Sequence, residues 1–280
     1  MWEETEIYHH GIKGQKWGVR RYQNPDGSLT SAGKKRIKNI SLEEKFNIAE
    51  KQIKRNLTNE YSNFVKKTVS IKDVKDRSGL NDIDATHCIS LSMKKFNEAY
   101  KLEPEITKDV VNSVKLYNCK MYGLENRLKQ PTSMAGKIGS DSKEKNISFE
   151  DASKGIKDAI RYTVISNDEK FVTNYNLIKN SLIKKGYIET RCKNYFDMYN
   201  KGESMHKSVQ CVYQNKDGYN FELQFQTLQS QAAKELKIPI YEERRKVGIS
   251  AQRALKLESD MRDLAEKVKD PKNISSIKSK

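Results

Sequence analysis

The sequence contains no run of about 18 apolar residues, and its N-terminus has no apolar core of the kind a secretory signal carries. No segment is therefore expected to span a membrane, and synthesis and folding are expected in a cytosol. Cysteine is scarce: Cys88, Cys119, Cys192 and Cys211 lie far apart, without the paired spacing of a zinc site. Reduced thiols are the expectation in such a compartment. No internal repeat is present, and 280 residues allow one large domain or two modest ones. Acid is outweighed by base, 37 Asp and Glu against 53 Lys and Arg, for a formal charge of +16. That balance attracts polyanions, whether nucleotide, RNA, DNA or an anionic membrane surface, and does not choose among them. Hydrophobic residues at 36% suffice for a core, while 32% charged residues imply exposed helices and polar arms around it.

Four regions are read along the chain: a basic, Gly-rich, flexible segment over 1–40, a helical region over 41–118, an α+β domain over 119–246, and a charged helix and tail over 247–280. In the first, the stretch "HGIKGQKWGVRRYQNPDGSLT" has little hydrophobic periodicity and reads on composition as a disordered basic arm. Its wording resembles a short module that opens many phage and prophage virion-associated proteins, which implies such an origin and packaging with the virion. Ser41 followed by Glu44 is a capping-box pattern, and Leu42, Phe46, Ile48, Ile53, Leu57, Tyr61 and Val65 predict an amphipathic helix. Helices are expected over 85–101 and 107–117, and a strand over 119–129. In the third region, strand and helix signals alternate. "DAIRYTVI", "GYIETRCKNYF", "HKSVQCVY" and "YNFELQFQ" read as extended, "DEKFVTNYNLIKNSLIKK" as a helix stopped by Gly186, and Asn215–Gly218 as a hairpin loop. That hairpin brings Ser208 and Gln210 towards Glu222 and Gln224. A charged helix is expected after Pro239.

Chemistry-bearing residues cluster in this third region. Arg127, Lys129, Ser133 and Lys137 suit a strand running into a helix, where free N–H groups and the helix dipole assist cations in holding an anion. A solvated basic patch, with Ser133 as a helix cap, accounts for the same residues. Asp158 and Arg161 interrupt an apolar strand, so they either pair with other residues or serve a ligand. A carboxylate there can hold Mg²⁺ beside phosphate oxygens. In "NFELQFQT", Glu222, Gln224 and Gln226 alternate with Phe221, Leu223 and Phe225, a polar face opposite an apolar one.

Taken together, about Lys120 to Lys246 resembles the RelA/SpoT-type synthetase domain. The resemblance implies a mixed β-sheet flanked by helices, nucleotidyltransferase-like, with helical N- and C-terminal extensions. It implies transfer of the β,γ-diphosphate of ATP to a ribose 3′-hydroxyl of a nucleotide or of tRNA. The family's ATP motif stands at Arg127, Lys129, Ser133 and Lys137 with its spacing intact, its "DIAGIRV" strand as "IKDAIRYTV", its "KDYI" as "KNYF", its "GYRSLH" loop as "MHKSVQ", and its "EIQIRT" as "ELQFQT". By resemblance Arg127 packs on adenine, Lys129 and Lys137 hold phosphates, and Arg161 belongs to the ATP site. Glu222 is the catalytic glutamate, binding Mg²⁺ together with Asp158. Lys193, Tyr195, His206, Lys207, Gln210 and Gln224 form the acceptor side.

The sequence departs from that pattern at four points. Ile156 stands where the metal aspartate is expected, and Asp158 is the replacement two residues on, on the same face if the segment is strand. His206 replaces a stacking aromatic, Gln210 the loop histidine, and Gln226 the arginine of "QIRT". These changes suggest an acceptor other than a guanosine nucleotide, or reduced activity. The implied setting is a phage-associated toxin in a bacterial cytoplasm, with an antitoxin, immunity or virion protein as partner and oligomers possible. Its counterpart is a catalytically weakened virion-associated protein that binds nucleotide or RNA.

Overall fold

Ser41 opens helix α1 (Leu42–Arg55), its hydroxyl accepting from the Glu44 amide at 3.1 Å, as its capping pattern suggests. The computed structural model describes residues 40–61, 64 and 68–280. The basic module lies outside them. The chain divides into two units after Asn47, and the architecture below is that of Ile48–Lys280.

Apolar spacing would continue α1 to Val65, but it ends at Arg55 and Leu57–Thr58 forms strand β1. Pairing decides this: Leu57 and Thr58 lie opposite Tyr122 and Met121. Asn59 locks the junction, donating to the Cys119 carbonyl at 3.0 Å and accepting from the Met121 N–H at 3.1 Å. After α2 (Ile71–Ser78), the two expected helices are one, α3 (Asp82–Lys115), continuous through Pro104. A proline inside a helix costs about 3 kcal/mol, and burial of both flanking stretches, Phe96 and Ala99 before it, Ile106 and Val110 after it, outweighs that.

The sheet adds β2 (Lys120–Tyr122), β3 (Arg161–Ile165), β4 (Ile188–Asn194), β5 (Val209–Gln214) and β6 (Asn220–Gln226), in the order β1-β2-β3-β6-β5-β4. Among the described residues only β3 and β6 pair in parallel. The fold is α+β, a mixed sheet flanked by helices. The expected strand from residue 119 stops at Tyr122, and Gly123 at φ 64° turns the chain into a 3-10 helix, Leu124–Asn126. Helix α4 (Pro131–Lys145) follows, then α5 (Phe149–Lys154), α6 (Phe171–Lys184) and the short α7 (Tyr195–Asn200), so "KNYF" leaves the strand at Tyr195. Helix α8 (Leu228–Arg244) starts well before Pro239 because Thr227 and Ser230 form a reciprocal cap. The break falls instead near Gly248, φ 85°, ahead of α9 (Ala251–Glu266).

One sheet face is core. Phe221, fully buried, meets Tyr162, Tyr187 and Tyr213 at ring separations of 6.0, 5.4 and 5.6 Å, and such a residue costs about 3–5 kcal/mol to truncate. Tyr162 bonds to Thr107 of α3, and Tyr175 of α6 meets Phe225 edge-on, so these two helices cover this face. The other face carries the polar residues of β3 and β6.

Candidate functional site

Helix α4 is held by a close backbone approach. A Cβ on Gly139 would stand 2.6 Å from Leu80 and 2.8 Å from Ser78, so glycine lets α4 dock on the α2–α3 turn. This docking fixes Lys137. Its ammonium reaches Asp158 Oδ1 at 3.1 Å, while Lys129 reaches Oδ2 at 2.5 Å. Asp158 sits in the irregular segment before β3, not in the strand, so strand parity does not aim it; the two lysines do. Burial would raise its pKa, but Lys129 and then Lys137 hold it well below the usual carboxylate range. Burial lowers the pKa of Lys129, with Lys137 and Arg161 adding repulsion and Asp158 opposing them. Ile156, at the expected metal-aspartate position, is buried.

Ser133 is not the helix cap. Gln130 holds that position, with Pro131 opening the helix, and the Ser133 hydroxyl accepts from Arg77 at 3.2 Å.

Arg127 departs furthest from expectation. It ends the 3-10 helix in αR conformation, so strand alternation with Lys129 is broken and it enters the core face. It is 1% exposed, paired with Glu103, donating to the Leu124 carbonyl at 2.9 Å and lying 4.4 Å from the Tyr61 ring centroid. Glu103 also takes the Thr107 hydroxyl. In this structure Arg127 is enclosed by protein, with no face open to adenine.

The register of the sheet builds the rest of the site. Arg161 of β3 lies beside Glu222 of β6, which faces Val212 of β5, which faces Arg191 of β4. One row thus aligns two guanidinium groups with one carboxylate. The next joins Thr163, Gln224, Gln210 and Lys193. Gln224 donates to Glu222, and its oxygen accepts from Lys234 of α8 at 2.6 Å. Lys234 thereby fixes the amide's orientation, since the oxygen must face the ammonium and the NH₂ the carboxylate. Burial, then Arg161, pushes the Lys234 pKa down to about 8 against the pull of Glu222.

Gln226 is 2% exposed and accepts from Ser230 at 2.5 Å, so this end of the polar face supports the start of α8 instead of lying open. Gln210 donates to Ser208 at 3.3 Å. Tyr195 and His206 meet edge-on at 6.4 Å, and the Tyr195 pKa, raised mainly by burial, feels Arg191 and Glu222. Lys237 pins the loop of His206 by donating to the Met205 carbonyl at 2.7 Å. Burial, then Lys237 and Lys234, pushes His206 down to about 4, so it is neutral near pH 7. Lys207 turns away from this site: its ammonium donates to Val268 carbonyl and to Asp270, both at 2.8 Å, and stands 4.7 Å from the Tyr199 ring centroid.

The structure therefore gathers Lys129, Lys137, Asp158 and Arg161 with Glu222, Gln224, Gln210, Lys193, Tyr195 and His206 around one sheet face, and leaves Arg127 and Lys207 outside it. Sequence reading missed Arg191, whose Nε is buried without a hydrogen-bond partner. Its signal was present, two residues before Lys193 and hence on the same strand face. Lys234 and Glu103 gave none, as each is one charge among many on a long helix.

Comparison with family models and with curated proteins finds no match. Among solved structures the chain is similar to small alarmone synthetase 1 from Bacillus subtilis, at 16% identity and a TM-score of 0.42, over 62% of this chain and 91% of that one. It is also similar to that synthetase bound to its product pppGpp, at 15% identity and a TM-score of 0.40, over 61% and 88% of the two chains. At such identity the chemistry has to be read from this chain's own residues. Among the described residues, no helix is long and apolar enough to cross a membrane.

Proposed function

We propose that the chain is an ATP-dependent diphosphotransferase, moving the β,γ-diphosphate of ATP to a ribose 3′-hydroxyl of a nucleotide or of tRNA. The observation that carries this reading is the row Arg191, Glu222 and Arg161, set near a carboxylate clasped by two lysines. Diphosphate transfer is dominated by positioning and by neutralising phosphate charge. Lys129 and Lys137 exchange Asp158 for phosphate oxygens, and Arg161 supports them. Glu222, oriented by Gln224 and Lys234, accepts the proton of the acceptor hydroxyl or orients that hydroxyl. Lys193, Arg191 and Gln210 line the acceptor side, with Tyr195 and neutral His206 offering ring faces. Asp158 and Glu222 are of the donor type that Mg²⁺ takes, one or two carboxylates beside phosphate oxygens and water, and Asp158 would be open to the ion once Lys129 and Lys137 turn to phosphate; bound there it would supply further neutralisation of phosphate charge.

The test is incubation with labelled ATP, Mg²⁺ and a panel of nucleotides and tRNA. Label should pass to an acceptor with release of AMP, and Glu222→Gln should lower the rate by about 100-fold or more. Absence of transfer to any acceptor by the wild-type chain overturns the reading. Enclosure of Arg127 and the isoleucine at position 156 favour a second one, a weakened protein that binds nucleotide without turnover; it predicts nucleotide binding equal in wild type and Glu222→Gln. The resemblance of the N-terminal module extends the first reading to a phage or prophage effector in a bacterial cytoplasm, with an antitoxin or virion protein as partner. Growth arrest on expression, abolished by Glu222→Gln, tests that setting.

A further inference from the structure

On the core face, away from the site above, two cysteines distant in sequence become direct neighbours. Cys192 of β4 and Cys211 of β5 are cross-strand partners, and the Cys211 thiol lies 3.3 Å from Cys192 Sγ. The backbone of Cys192 exchanges both its hydrogen bonds with Lys280 on the far side of β4, at 3.2 and 2.8 Å. The pair is thus of the non-hydrogen-bonded type, the antiparallel position where Cα atoms approach to about 4.5 Å and side chains lie closest. That separation falls within the range of about 4.4–6.8 Å that disulfides adopt.

We infer that Cys192 and Cys211 form a redox modification site, closing to a cross-strand disulfide under hydroperoxide. The Cys192 thiolate attacks a peroxide oxygen: an S–O bond forms, the O–O bond breaks, and the alcohol or water leaves with a proton. Sulfur of Cys211 then attacks that sulfenic sulfur, forming S–S as S–O breaks and water departs. Two electrons pass from the dithiol to the peroxide, and both thiol protons end in the released products. The neighbours set the order of attack. Cys192 accepts from the Cys211 thiol, stands 3.5 Å from the Tyr175 hydroxyl and feels Lys179, which together lower its pKa; burial pushes Cys211 up. Both sulfurs are buried beneath α6, beside an edge formed by a short segment: Asn194 donates to the Ile274 and Ile277 carbonyls, and Lys280 pairs with Cys192. Peroxide would reach the dithiol by local opening of that edge and of the α6 side chains above it, which needs no global unfolding.

Glu189, Cys192 and Cys211 could also be read as a metal cluster. Glu189 already carries Lys179 at 2.7 Å, Tyr175 at 3.0 Å and Tyr213 at 3.2 Å, so a cation there would meet an ammonium group. This occupancy favours the disulfide. Closing it stiffens the β4–β5 strand pair, which carries Lys193 and Gln210 on its opposite face.

The experiment treats the full native chain with hydrogen peroxide, then counts thiols and maps peptides by mass spectrometry. The expected result is loss of two thiols as a Cys192–Cys211 linkage, Cys88 and Cys119 intact, reversal by reductant, and a Tm higher by roughly 5–10 °C in the oxidised form. Cys88→Ala should keep the linkage and Cys211→Ala should lose it. Retention of all thiols by the folded chain while the urea-unfolded chain oxidises, sulfinic acid without linkage, or other pairings would each overturn the inference. Stoichiometric Zn²⁺ on the reduced chain, lost in Cys192→Ser, would overturn it in favour of a metal site.

Discussion

The two faces of the central sheet both bury charge, and they treat it differently. On the core face each carboxylate is matched: Glu103 meets Arg127 and Thr107, and Glu189 meets Lys179, Tyr175 and Tyr213. On the polar face Asp158 answers two lysines, Arg161 lies beside Glu222 with Arg191 two strands further along the same row, and the side-chain donor to Glu222 is an amide. The first face is closed chemistry, where partners exist to keep charge from costing stability. The second holds surplus positive charge and a carboxylate with accepting capacity left over, the arrangement that a polyphosphate and a hydroxyl would complete.

Substitutions can break that contrast, and the largest effect is expected on the core face. Arg127→Met should cost about 3–5 kcal/mol by leaving Glu103 buried and unpaired, read from denaturant midpoints; unchanged stability with lost ATP affinity would instead return Arg127 to the ligand site. Asp158→Asn should cost about 2 kcal/mol by leaving Lys129 and Lys137 facing each other. A nucleoside triphosphate should recover most of that loss in thermal melts, by stabilising the state that binds it. His206 sharpens the contrast through pH. Its folded pKa lies below its unfolded value, so the unfolded chain binds the extra proton between about pH 6.5 and 4, and stability falls as pH drops through that window. The fall should amount to about 2–3 kcal/mol and be absent in His206→Asn. Smallest is Glu222→Gln, within about 0.5 kcal/mol of wild type in stability, since an amide can still meet Gln224. Its large loss should appear only in transfer.

How much of this was legible in the sequence varies element by element. Strict alternation predicted β6, and Gly218 closes the β5–β6 hairpin at φ 82° as its turn residues suggest. Gly186 ends α6 for the same local reason. The interval from Arg127 to Lys137 placed two phosphate-type lysines together because Lys129 precedes α4 and Lys137 lies inside it. What failed had a nonlocal cause. A 3-10 turn rotated Arg127 to the other face, pairing with β2 cut α1 short, and burial carried α3 through Pro104.

By itself the sequence determined the excess of base, the hairpin, and the residue types able to hold phosphate and accept a proton, because period, turn chemistry and charge are local properties. Only the tertiary structure decided which charges meet. The parallel pairing of β3 with β6 set Arg161 beside Glu222, α8 brought Lys234 to Gln224, and the β4–β5 register joined Cys192 to Cys211. Those contacts depend on which strands are neighbours, a choice made by burial of the whole sheet, and no window of sequence contains it.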